Sequence, residues 1–253
     1  GDNVERYGVM IPGGYDYLGW IVTALTMSNG GLYYNPRYGG EVYYDTPTML
    51  GALTFWSDLA NKHKVHPTGE TKAPAITTAF LGGQASMMII STGSLTFVRN
   101  SAKFPFKVAF VPRNVHNQVP IGGGSLVQPV GLDDARRKAG WTLIKWMTSP
   151  AQSGWWSRAT GYFAPNMGAY DQPEMKEFLA RNPEAETTVK QLAYAKPWFA
   201  TYKTVAVRKA LADQLQAVLS GKIQPKAALQ QAQKEADEIM RPYVESTALK
   251  LPN

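Results

Sequence analysis

Apolar positions recur along this chain with two different periods. The first half alternates short extended runs with helices, and the second half is helical almost throughout. Residues 4–11 (VERYGVMI) read as a β-strand that Pro12-Gly13-Gly14 ends. A helical segment over 18–27 stops at Asn29-Gly30-Gly31, and 32–44 form a loop with five tyrosines. Thr46 and Pro47 open the next helix, Thr as N-cap and Pro at the first helical position, where its missing N–H removes no helical bond. Met49, Leu50, Leu53, Trp56, Leu59 and Ala60 then fall on one face to about residue 62. Next come a short helix over 76–81, a buried strand over 86–91, and a turn at Ser91-Thr92-Gly93-Ser94 into a helix ending near 103. A strand over 106–111 leads through a polar loop to Gly122-Gly123-Gly124-Ser125.

Further on, Asp133 caps a helix to 148, and Ser149-Pro150 starts one that closes at Gly161. Pro173 opens a short helix, and another runs over 184–195. Val207, Leu211, Leu215 and Val218 form one stripe of a helix over 205–219, with Gly221 as its C-terminal cap. A final amphipathic helix covers 225–240. No repeat, low-complexity segment or linker is visible. The mixture predicts an α/β or α+β fold with few strands for its length.

Composition narrows the function classes. With 253 residues, 44% of them apolar, the chain can build one large domain or two small ones. Its 7 Trp, 13 Tyr and 9 Phe argue against disorder. The longest apolar stretch, around 86–91, falls far short of the roughly 20 residues a bilayer needs. No basic n-region followed by an apolar run opens the chain, so a signal peptide is expected to be absent or already removed. The net charge of +7 comes from scattered residues; the densest run, Arg136-Arg137-Lys138, reads as a solvated helix face. No basic-aromatic module is present, so nucleic acid is not expected as a partner. The lack of cysteine excludes disulfides, Cys-ligated zinc and Cys nucleophiles, and leaves the compartment open.

Several constellations invite chemistry. His63 and His66 are spaced as a ligand pair on a helix, but Pro67 disfavours helix there and no third ligand has suitable spacing. Gly93-Ser94 lacks the flanking glycines of a nucleophile elbow. Asp16, Glu41 and Asp45 sit among aromatics, where surface solvation explains them better than a glycosidase pair. Gly122-Gly123-Gly124-Ser125 lacks the ending of a nucleotide-binding P-loop, yet a glycine run before a strand lets backbone approach a ligand; a flexible turn is the equal alternative. Ser91-Thr92-Gly93-Ser94 would place hydroxyls and free N–H groups at a helix start, suited to an anion or sugar hydroxyl, unless these residues serve only as caps. Tyr15, Tyr17, Trp20 and the loop tyrosines can stack on a sugar or polyol, or simply pack.

The order of the segments adds a resemblance. Trp20, the Thr46-Pro47 helix, Ala79-Phe80-Leu81-Gly82-Gly83-Gln84-Ala85-Ser86-Met87-Met88, Ser91-Thr92-Gly93-Ser94-Leu95, Ala102-Lys103-Phe104, Pro120-Ile121-Gly122-Gly123-Gly124-Ser125-Leu126 and Thr160-Gly161-Tyr162-Phe163-Ala164-Pro165 follow one another as in the extracellular solute-binding proteins of ABC importers. Over about 13–244 the chain most resembles their glycerol-3-phosphate-binding branch. The resemblance implies an α/β, periplasmic-binding-protein-like (type II) two-lobe fold that closes by a hinge on ligand in an interlobe cleft. Those proteins are longer, and this chain resembles their C-terminal part without the first lobe. On that basis 1–130 would form the core of the second lobe, and 131–253 its helical remainder with segments returning to the missing lobe. An incomplete chain should then expose a large apolar patch and tend to associate.

By the same resemblance the protein is no enzyme. It has no catalytic residue, metal or cofactor, and it delivers a small phosphorylated polyol, glycerol-3-phosphate or a glycerophosphodiester, to membrane permease subunits. Its location would be periplasmic or extracytoplasmic, with or without a lipid anchor. Trp20 matches a tryptophan that packs on the glycerol skeleton, and Ser94 a serine that contacts ligand oxygens. Gly124 matches a glycine whose backbone approaches the phosphate, and Tyr162 a tyrosine donating to a phosphate oxygen. Arg208 matches an arginine of a late helix, whose planar fork suits phosphate; a solvated helix residue is the alternative. Phe163-Ala164-Pro165-Asn166 and the stretch 192–202 depart from the branch, which keeps a neutral mono- or oligosaccharide in view as ligand, with a hydrolase of sugars or phosphodiesters behind it.

Overall fold

The computed structural model describes residues 4–36 and 40–247; Tyr38 of the tyrosine-rich loop lies outside them. The elements run β1 (Tyr7–Met10), α1 (Tyr15–Ser28), α2 (Pro47–Asn61), α3 (Ala73–Leu81), β2 (Ala85–Met88), α4 (Leu95–Ser101), β3 (Val119–Ile121), α5 (Asp134–Met147), α6 (Pro150–Thr160), α7 (Pro173–Arg181), α8 (Pro183–Gln191), β4 (Ala195–Pro197), α9 (Thr204–Leu219) and α10 (Pro225–Thr247). Both ladders are parallel, β1 with β2 and β3 with β4, so each pair is joined by a long crossover containing helices, as in α/β proteins.

The predicted caps are in place. Thr46 Oγ1 accepts from Met49 N at 3.3 Å, Asp133 Oδ1 from Arg136 N at 2.8 Å and Ser149 Oγ from Gln152 N at 3.4 Å. Gly221 ends α9 at φ +70°, its N–H bonded to Val218 O and that of Lys222 to Ala217 O, which satisfies two carbonyls the helix leaves open. Arg136 and Arg137 lie exposed on α5 beside Asp133 and Asp134, a solvated face as expected.

Other expectations need correction. The strand expected over 86–91 is not buried: Ser86 and Met87 are exposed and β2 ends at Met88, because among the described residues it has one neighbour, β1. The run 106–111 alternates between half-buried and exposed residues to 110 and is extended chain that is not a strand. The glycine run 122–124 follows β3 instead of preceding a strand, and the last helix of the 184–195 region ends at Gln191 before a short turn into β4. The tyrosine-rich loop is mostly core: Tyr33, Tyr34 and Tyr44 are buried against Phe199 and one another.

The chain forms two compact units, and both are discontinuous in sequence. Unit 1 takes residues up to Ile90, Val111–Ile121 and those from Tyr194 on; unit 2 takes Ser91–Phe110 and Gly122–Ala193. Unit 1 holds the main core, with α1, α2, α9 and α10 packed around Leu18, Met27, Leu53, Trp56, Leu211 and Leu215. Unit 2 has a small core of Ala164, Ala169 and Met175 with Tyr170, Phe178 and Leu179 beside it. Its α5 has no buried residue, and Trp141, Leu143, Trp146, Trp155 and Trp156 are exposed on α5 and α6. No helix among the described residues is long and apolar enough to cross a membrane.

His66 is a structural residue of unit 1. It is 2% exposed; Ile11 N–H donates to its Nε2 at 3.0 Å and its Nδ1 donates to Pro67 O at 2.5 Å. Both ring nitrogens are thereby engaged by backbone, which leaves none for a metal. Burial lowers its pKa from the ordinary 6.5, against the hydrogen bond to Pro67 O, which favours the charged ring. The unfolded chain therefore binds this proton more readily, and stability should fall as pH drops through 6.5 towards the depressed folded value. At the other end, burial raises Tyr33 and Tyr44 above the ordinary 10.0, so stability should also fall as pH rises past 10.0, where the unfolded phenols ionise first. Urea midpoints against pH should show a plateau with a shoulder on each side. His66→Asn, which cannot titrate, should flatten the acid slope; an unchanged slope would assign it to other groups.

Candidate functional site

In unit 1 the site grows from a helix that is hydrophobic almost all round. From Leu18 to Ser28 every residue of α1 is buried except Trp20. That one half-exposed indole stacks on Trp198, with ring centroids 4.0 Å apart and planes inclined by 23°. Trp198 follows β4 directly, and its N–H donates to Ile121 O at the end of β3, at 2.9 Å. The short parallel ladder thus sets the position of the second indole.

Arg208 completes the cluster from α9. Its Nη2 donates to the carbonyls of Tyr15 at 2.9 Å and Asp16 at 3.1 Å, in the first turn of α1. Its Cζ lies 4.7 Å from the Tyr15 ring centroid and 4.8 Å from that of Trp198, and its Nε is buried without a hydrogen bond. The Tyr15 hydroxyl donates to Val205 O at 3.2 Å and so ties the start of α9 to α1. Arg208 is therefore not a freely solvated helix residue. It is a guanidinium fixed between two aromatic rings, with Nη1 the part of its fork not spent on carbonyls. The cationic rim and flat indole surface together suit a ligand with an anionic end and an apolar face.

In unit 2, two segments distant in sequence meet. Gly161, at φ +100°, closes α6, and a Cβ there would lie 2.6 Å from Thr92 O and 2.8 Å from Leu95 Cβ. The turn is held by Ser157 Oγ donating to Tyr162 O at 2.6 Å and Tyr162 N donating to Thr160 Oγ1 at 3.1 Å. The half-exposed Tyr162 ring then lies over Gly93, where an added Cβ would be 2.2 Å from Cζ and 2.6 Å from the hydroxyl. Tyr162 thereby lies against Gly93, the residue before Ser94. The expected free N–H groups are not free: Gly93 N donates to Ser91 Oγ at 3.2 Å and Ser94 N to Ser91 O at 3.0 Å. Ser91 is the cap of this turn. Gly124 stands apart in an exposed stretch with open space where a side chain would be.

The acidic candidates are dispersed. Glu41 accepts from Tyr43 OH at 2.6 Å and from Asn35 at 3.2 Å, which lowers its pKa. Asp45 pairs with Lys226, and Asp16 is exposed at the start of α1. Sequence reasoning missed Trp198. It lies in the stretch 192–202 that departs from the expected pattern, and Pro197-Trp198-Phe199 was its one visible sign.

This chain belongs to the bacterial extracellular solute-binding proteins, whose family model matches residues 13–187. Its fold is the type II periplasmic-binding-protein fold. It superposes on UgpB from Mycobacterium tuberculosis in complex with glycerophosphocholine with a TM-score of 0.83 at 21% identity, covering 96% of this chain and 60% of that one. It superposes on the maltose/maltodextrin-binding domain MalE from Bdellovibrio bacteriovorus bound to maltotriose with a TM-score of 0.79 at 21% identity, covering 94% and 61%. Among individual relatives it is 26% identical to the sn-glycerol-3-phosphate-binding periplasmic protein UgpB of Pectobacterium atrosepticum, over 81% of this chain and 48% of that protein. The corresponding protein of Yersinia pseudotuberculosis is 28% identical over 79% and 47%. The chain spans about half the length of these relatives.

Proposed function

We propose that the protein to which this chain belongs is the extracytoplasmic binding component of an ABC importer. It captures glycerol-3-phosphate or a glycerophosphodiester without chemical turnover and hands it to the permease subunits. The observation that carries this reading is the fixed Arg208 guanidinium over the Trp198 ring, on whose indole Trp20 of α1 stacks. The kinship with glycerol-3-phosphate-binding relatives supports it. In this reading Trp20 packs on the carbon skeleton, and Arg208 offers Nη1 to the phosphate. Ser94, Tyr162 and Gly124 of unit 2 keep the ligand roles that the resemblance gave them. A single charged partner engaged in this way contributes about 1.5–3 kcal/mol.

A second reading, a neutral sugar, is favoured by the stacked pair of indoles, since a flat apolar surface fits the face of a pyranose. Isothermal titration of the full-length protein with glycerol-3-phosphate, glycerophosphocholine and maltose separates the two. We expect heat with a phosphate ligand, and Arg208→Ala to weaken that ligand by roughly tenfold to a hundredfold while a sugar is affected less. Equal losses for charged and neutral ligands would remove the phosphate assignment. Heat with maltose alone would establish the second reading.

A further inference from the structure

We infer that Trp198 is a positioning residue that sets the specificity of the binding surface, acting through Trp20 and Arg208; this deepens the reading above and rests on it. The same indole touches both of those residues, stacking on Trp20 at 4.0 Å and lying 4.8 Å from the Arg208 guanidinium. It is itself anchored to the fold. Its backbone is bonded to Ile121 at the end of the β3–β4 ladder, and its ring meets Phe199 edge-on at 5.2 Å, with Phe199 buried in the main core.

Two consequences follow from this placement. Trp198 covers one face of Trp20, so a ligand can lie only against the other face or the rim, and the tilt of Trp20 is dictated by its neighbour. Arg208, with Nη2 committed to the carbonyls of Tyr15 and Asp16, keeps its remaining Nη1 edge in one direction only while the Trp198 and Tyr15 rings hold its plane. One side chain therefore aligns the apolar and the cationic parts of the surface with each other. A ligand that needs both, a phosphate joined to a short carbon skeleton, should depend on Trp198 more than one that needs the indole alone.

The test uses the full-length protein with Trp198→Ala, Trp198→Phe and Trp20→Ala. Each is titrated with glycerol-3-phosphate, glycerophosphocholine and maltose, and its near-ultraviolet circular dichroism is recorded. We expect Trp198→Ala to weaken the phosphate ligand by roughly tenfold and Trp198→Phe to recover most of that loss, since a phenyl ring can still stack and hold a cation. The coupled indole signal should vanish in Trp198→Ala and Trp20→Ala alike. Phosphate binding by Trp198→Ala within about twofold of wild type, with the indole signal gone, would overturn the inference, because losing the aromatic contacts should cost more than that. So would a Trp198→Phe variant as weak as Trp198→Ala. A wild type that takes none of the three ligands overturns the functional reading instead, and the ligand role of Trp198 with it.

Discussion

Gly161→Ala should destabilise unit 2 by about 3 kcal/mol or more and displace Tyr162 from its place over Gly93. Two costs combine at this position. A φ of +100° is a conformation that residues with a side chain avoid. The added Cβ would also lie 2.6 Å from the carbonyl oxygen of Thr92, which is backbone and cannot swing aside. Gly161→Asn therefore tests the argument, since asparagine tolerates left-handed backbone but carries the same Cβ. It should rescue little. Gly93→Ala is the contrast: its Cβ meets the Tyr162 ring, which can rotate away, so it should cost much less stability. Hydrogen exchange in α4 and α6, followed alongside urea unfolding, would read both. Unchanged protection in Gly161→Ala would show that the two turns do not depend on each other.

Tyr33→Ala should cost about 3–5 kcal/mol, the usual range for removing a fully buried aromatic ring. Tyr33 is 0% exposed and touches the rings of Tyr34, Tyr44 and Phe199. Its hydroxyl meets Thr23 Oγ1 at 2.6 Å, and Thr23 in turn donates to Gly19 O at 2.6 Å, so the ring also orders the segment of α1 that carries Trp20. Tyr33→Phe keeps the ring and loses the hydroxyl, and should cost about 1 kcal/mol. Thermal and urea unfolding measure the series. A Tyr33→Ala protein of normal stability that no longer bound a sugar would return the loop tyrosines to a ligand role, which their burial now denies to Tyr33, Tyr34 and Tyr44.

Helix limits and caps were legible in the sequence because they depend on neighbours in the chain. Thr46 with Pro47, Asp133, Ser149 with Pro150 and Gly221 each act within a few residues of themselves. The buried stripe of α9 was legible for the same reason, since its spacing follows from helix geometry alone. Strands were read less well. The segment 106–110 alternates as a strand should and is not one, whereas β3 and β4, three residues each, pair across more than seventy positions without a periodic signature. Trp20 and Arg208 were read through resemblance, and Trp198 was not read at all, because stacking between residues 178 positions apart leaves no trace in either local pattern.

By itself, then, the sequence determined an α/β chain rich in capped helices, with an aromatic-rich composition and the ordered motifs of an extracellular solute-binding protein. Local backbone preferences and the periods of helix and strand suffice for the capped helices, and the α/β class and the family were read from the resemblance of the ordered motifs. Only the tertiary structure decided which tyrosines are core, that Ser91 rather than Ser94 is the cap, that Gly161 seats Tyr162 against Gly93, and that Trp198 joins Trp20 to Arg208. Those outcomes depend on which surfaces meet when the chain folds back on itself, and contacts of that kind are fixed by packing across long separations rather than by the residues on either side.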